Sequence, residues 1–185
     1  LWAQKQLKAM GCANHYTFLP ESSMHMTVFE GLCDQIREKS LWSHKLPLDI
    51  PLNEATERFM SWLDEAKPTP NFKMVFNCVH NSKNGGTLLR IKPANQETLK
   101  SIKGLRKQLS DLTGISHPAH DEYHFHITLS YKIIHLDETQ EKELEDTCKK
   151  IEEKLNKSFG ELSHNAVEFC HFNDMFKFTT LKNLS

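Results

Sequence analysis

The chain has 185 residues, 38% hydrophobic and 25% charged, with a net charge of −1, the composition of an ordinary globular protein. A charge so near zero excludes a global basic field that holds long nucleic acid by counterion release, and leaves room for a short oligonucleotide or single nucleotide gripped locally. No apolar run is long enough to cross a bilayer and no signal-peptide pattern is visible. Five scattered cysteines without a Cys-x-x-Cys pair point to reduced thiols in a cytoplasmic protein rather than to a disulfide framework or zinc site.

In chain order, residues 2–10 read as a helix stopped near Gly11, and Tyr16 to Phe29 as extended chain interrupted at Pro20. Residues 31–52 are irregular and hold Trp42, either as a lid or as an apolar segment packed onto the surface. Asn53 is the expected cap of a helix that carries Ala55, Phe59, Trp62 and Leu63 at helical spacing and ends at Pro68 and Pro70. Phe72–His80 and Thr87–Lys92 flank the turn signal "NSKNGG" and predict a β-hairpin. Asn95 caps the next helix, with Leu99, Ile102, Leu105 and Leu109 on one face and Gly114 at its end. His124 to Ile134 is rich in strand formers. Asp137 and Gln140 have the spacing of a capping box, opening a helix with Leu144, Cys148, Ile151 and Leu155 inward and Gly160 at its end. Residues 165–172 and 175–181 read as two closing strands.

One phrase occurs twice. His25-Met26-Thr27-Val28 and His126-Ile127-Thr128-Leu129 share the pattern His-x-Thr-aliphatic, 101 positions apart. The order of elements around the second copy repeats that around the first, with one extra leading strand. The chain is therefore expected to be one domain, residues 1–185, of two pseudo-symmetric lobes spanning roughly 1–80 and 87–185, with the first lobe's leading strand upstream of Leu1. The fold class is α+β: a duplicated two-lobed fold with antiparallel sheets lining a central cleft and helices outside.

Residues i and i+2 of a strand share a face. His25 therefore projects with Thr27, and His126 with Thr128, while the intervening apolar residues enter the core. Two imidazoles and two hydroxyls around one cavity fit acid–base cleavage of a phosphodiester. A neutral imidazole removes a proton, an imidazolium protonates the departing oxygen, and the hydroxyls donate to the phosphate oxygens. No metal or other cofactor is needed for that chemistry.

"LPESSMHMTVFEG" and "FHITLSY" resemble the motifs of the 2H phosphoesterase superfamily, most closely a branch found in bacteria and fungi. The superfamily includes 2′,3′-cyclic phosphodiesterases, the 2′-5′ RNA ligase group and 2′,5′-oligoadenylate phosphodiesterases. The resemblance implies His25 and His126 as the catalytic pair, with acid and base unassigned, and Thr27 and Thr128 as phosphate holders. Relatives carry a basic residue shortly after the second motif, where this chain has Tyr131; Arg37 and Lys132 are the candidates for the missing cation. Tyr123, His124 and Tyr131 are further substrate-contact candidates. The expected partner is a nucleotide or short RNA, with neither a membrane nor an obligate protein partner. Two other readings are a nucleotide- or RNA-end-binding module without turnover, and a metal-dependent hydrolase built on His117, His120, His124 and His126.

Overall fold

A computed structural model describes residues 1–68, 71–82, 85–118 and 120–184. Pro70 and the turn residues Lys83 and Asn84, where a helix end and a hairpin turn are expected, lie outside them. The helices are α1 (Trp2–Lys8), α2 (Leu52–Trp62), α3 (Gln96–Thr113) and α4 (Glu138–Ser158). Their ends are set by local chemistry. Asn95 Oδ1 accepts from the Thr98 amide at 2.8 Å, and Asp137 and Gln140 form a complete capping box. Gly114 and Gly160 stop α3 and α4 at φ 72° and 68°, values that only glycine adopts without strain. Asn53 does not cap α2. The helix begins at Leu52 after Pro51, whose fixed φ and absent amide suit a helix start. None of the described helices is long and apolar enough to cross a membrane.

Five strands, β1 (Tyr16–Phe18), β2 (Phe72–Asn81), β3 (Gly86–Pro93), β4 (His126–Lys132) and β5 (Glu161–His164), form one curled antiparallel sheet in the order β1-β4-β3-β2-β5. The fold is α+β. β1 and β2, the two strands before residue 82, pair only with strands that follow residue 85. β6 (Glu168–His171) and β7 (Thr179–Asn183) form a separate hairpin. These are the two closing strands, shortened; β5, directly after Gly160, is an additional one.

The helices cover one face of the sheet. At one end Phe76, Leu89 and Leu129 pack with Leu7, Leu144 and Ile151 of α1 and α4. At the other, Phe72, Met74, Ile91 and Phe125 pack with Ile102, Leu105 and Leu109 of α3. Burying each such side chain stabilises by about 1.5–3 kcal/mol. An exposed ion pair such as Lys107–Asp111 contributes about 0–1 kcal/mol, so apolar faces hold the helices in place. Trp42 is buried with Ile50 and Ala55 in a small third cluster, and its indole donates to the Pro47 carbonyl. The irregular loop is thus packed against the body through its own core. All five cysteines are free thiols.

Two irregularities in the ladders decide which side chains reach each face of the sheet. β4 bulges against β3 between the Thr87–Ser130 and Leu88–Thr128 pairs, and β2 bulges against β3 between Phe76 and Cys78. A bulge reverses the parity of side chains beyond it. Gly86 lies at the first bulge, where a Cβ would overlap the Ser130 carbonyl. Gly86→Ala is therefore expected to destabilise the fold by about 1–3 kcal/mol, the usual cost of forced overpacking. A urea midpoint equal to wild type would refute this close approach.

Candidate active site

The second motif lies on β4. His126 pairs across the sheet with Arg90, and Thr128 with Leu88. Next along, Arg90 pairs with Cys78 and Leu88 with His80 of β2. Paired residues project to one face. Leu89, Ile91 and Leu129 are buried under the helices, so His126, Thr128, Arg90 and His80 occupy the open face.

The first motif is not in a strand. β1 ends at Phe18, and the last ladder-like contact is Leu19 N–H to the Leu129 carbonyl at 3.1 Å. Pro20 has no amide to donate. The chain leaves through a short 3₁₀ turn at Glu21–Ser23 and then passes His25 outside any strand. Side chains substitute for the missing backbone bonds. Gln4 of α1 donates to both the Leu19 and Leu129 carbonyls at 2.8 Å, where β1 and β4 part. Arg106 of α3, only 5% exposed, donates to the Val28 carbonyl and, at 2.7 Å, to the His120 carbonyl. The same guanidinium lies 4.8 Å from the ring centre of Tyr123. Tyr123 lies beside the Thr27 side chain, and its ring centre is 6.1 Å from that of His126. Tyr123 therefore joins the two motifs directly. Burial pushes its hydroxyl up to about 12, aided by the Glu30 carboxylate, so the phenol stays protonated across the physiological range.

The two histidines are held in one manner. His25 Nδ1 lies 2.7 Å from the Ser23 carbonyl oxygen, and His126 Nδ1 lies 2.8 Å from the His124 carbonyl oxygen. A carbonyl only accepts, so each Nδ1 carries hydrogen and donates to the residue two positions upstream. In the neutral ring this leaves a lone pair on Nε2, and neither Nε2 has a partner among the described residues. Their surroundings differ. The Phe178 ring, from the β6–β7 connection, lies 4.2 Å centre to centre from His25 and is itself 4.9 Å from Phe172.

The other sequence candidates divide. The bulge after Thr128 turns Lys132 toward α4, where its side chain is 4% exposed and its ammonium is 3.0 Å from Glu141. Tyr131 consequently faces the open side, although its five-residue distance from His126 places it on the opposite face of a regular strand. His124 is exposed, and its charge is felt at His80. Arg37 donates to Asp34 and to the Leu48 and Ile50 carbonyls and lies over Trp42. Its guanidinium is committed to its own loop and is not offered to a phosphate. The four clustered histidines do not converge. His120 sits 3.3 Å from the Arg106 guanidinium, a poor neighbour for a cation, and among the described residues no three acidic, cysteine or histidine side chains form a metal-ligand group. Arg90, His80, Arg106 and Phe178 were not singled out by the sequence. A β3 residue facing a β4 residue has no local signal, because the pairing register is set by the fold.

His25 and His126, each with an unpartnered Nε2 and each two residues from a threonine hydroxyl, are thus available on the described surface. The family described as "2H-phosphodiest: Domain of unknown function (DUF1868)" matches residues 1–85, which include the first motif. Residues 1–85, a little under half of the chain, are thus similar to the 2H phosphoesterase superfamily. The crystal structure of a conserved protein of unknown function, ATU0111, from Agrobacterium tumefaciens strain C58 is similar over 100% of this chain and 77% of that chain, with a TM-score of 0.86 and 28% sequence identity. No curated protein matches the chain.

The tether and the half-buried histidines can both be tested through stability. Arg106→Met strips donors from two buried carbonyls, at about 1–3 kcal/mol for each group left unsatisfied; the loss is read as a lowered urea midpoint, and an unchanged midpoint would remove Arg106 from its tethering role. Burial also lowers the protonation of His80, His120 and His164 below the ordinary 6.5. Between the folded and unfolded values the unfolded chain binds more protons, so stability rises with pH there. It is present in full above about pH 6.5 and is lost as pH falls below it, measurable as urea midpoints between pH 7.5 and 5. A midpoint that rises on acidification would contradict that sign.

Proposed function

We propose that the protein hydrolyses 2′,3′-cyclic phosphates or 2′-5′ phosphodiesters in nucleotide- or RNA-derived substrates by two-histidine acid–base catalysis. The observation that carries this reading is the matched pair: His25 and His126 each donate Nδ1–H to the carbonyl two residues upstream, and each keeps Nε2 free. One Nε2 takes a proton from the attacking water as its oxygen bonds to phosphorus. The other, protonated, gives its proton to the ribose oxygen as the P–O bond breaks. The proton count balances, and the two rings exchange charge states by turnover's end. Thr27 and Thr128 donate to the non-bridging oxygens, where negative charge gathers.

The test is hydrolysis of 2′,3′-cyclic nucleotides and 2′-5′-linked dinucleotides with EDTA present, by wild type, His25→Ala and His126→Ala. Each alanine variant is expected to lose at least about 10²-fold in kcat, the usual share of one general acid or base, while still binding the product nucleotide. Equal rates in all three proteins would sink the mechanism. Wild-type binding without turnover of any of these substrates would instead leave a binding module.

A further inference from the structure

The first motif flanks β4 on its β1 side, through Leu19–Leu129 and Thr27–Tyr123. β3 and β2 lie on the other side of β4. Arg90, paired with His126, is therefore one strand away from the cleft between the motifs, and His80 is two strands away. Strand spacing places these groups roughly 5 and 10 Å beyond the β4 row. Lys92 stands two residues along β3 from Arg90, on the same face, opposite Val75.

This strip has no counter-charge. Arg90 is half-buried, and its guanidinium makes no hydrogen bond or ion pair among the described residues. Lys92 likewise has none. The charged neighbours that act on His80 are Arg90, His124 and His126, all cationic or able to become so. Glu161, opposite Val75 on β2, pairs with Lys73 at 3.3 Å. A partly desolvated guanidinium without an anion is unfavourable, while its planar donors match a phosphate. The phosphate under attack is already met by His25, His126, Thr27 and Thr128 on the other side of β4.

We propose that Arg90, with His80 and Lys92 beside it, forms a second phosphate subsite that holds a phosphate of the substrate other than the one being cleaved. The inference rests on the phosphodiesterase reading and narrows it. The preferred substrates carry at least one further phosphate, as an oligonucleotide end or a 5′-phosphorylated cyclic nucleotide does.

The experiment compares adenosine 2′,3′-cyclic phosphate with its 5′-phosphorylated form. Wild type is expected to show a kcat/KM at least about tenfold higher for the phosphorylated substrate, in line with charge-assisted hydrogen bonds. Arg90→Ala brings that ratio close to one, Arg90→Lys keeps part of it, and Lys107→Ala, a charge change on α3, keeps all of it. A wild-type ratio near one overturns the subsite, as does an Arg90→Ala variant that lowers both substrates equally, since its guanidinium then serves the cleaved phosphate. A turnover-free arm separates this inference from the catalytic reading: calorimetric binding of adenosine 2′,5′-bisphosphate against adenosine 2′-monophosphate. Tighter, Arg90-dependent binding of the bisphosphate without hydrolysis of either cyclic substrate keeps the subsite and rejects the hydrolase. Equal binding rejects the subsite whatever the turnover.

Discussion

The site depends on one buried guanidinium. The segment that carries His25 and Thr27 has left the sheet and has no ladder to hold it, so its position must come from side chains. Arg106 bonds the Val28 carbonyl on one side and the His120 carbonyl on the other, with the Tyr123 ring against its face. Those contacts tie the unpaired first motif to the loop that leads into the second. Tyr123 then completes the link by meeting Thr27 and His126 together. Burying a charge is costly unless its donors are used, and here the donors serve backbone acceptors that would otherwise lack partners.

The likeness of the two motifs does not extend to their secondary structure. One motif is on a strand and the other on a segment outside the sheet, yet both imidazoles donate to the carbonyl two residues upstream. Sheet membership is not required for that contact, since His25 makes it outside any strand. The surroundings are unequal: Phe178 lies against His25, while Arg90 stands beside His126. His25 and His126 thus share one kind of tethering contact in unlike surroundings, an aromatic cluster beside the first and Arg90 beside the second.

Much of the fold is readable locally. The Asn95 cap, the Asp137–Gln140 box and the terminating Gly114 and Gly160 are short-range chemistry, and each helix end they mark is where the structure has it. The β2–β3 pair is likewise marked by alternation. The strand expected at His25 is absent because Pro20 and the turn after it carry the chain out of the ladder. Asn53 fails as a cap because Pro51 already starts the helix. Of the site candidates, Thr27, Tyr123 and His126 are brought into one contact network, with Thr128 on the same face as His126. Arg37 is consumed by its own loop and Lys132 by Glu141. Neither outcome has a local signal.

The sequence by itself determined the chemistry on offer: two histidines, each two residues from a threonine and flanked by apolar residues that must face a core. Residue type and period are properties of the chain, and they survive whatever the chain packs against. Tertiary structure decided which other groups join them. The bulge at Gly86 reverses side-chain parity and puts Tyr131 on the open face and Lys132 beneath the sheet. The pairing of β3 with β4 sets Arg90 beside His126, and the turn of α3 brings Arg106 under both motifs. Register and bulge position arise from long-range packing, so the cations nearest the candidate acid–base pair become visible only once the sheet has formed.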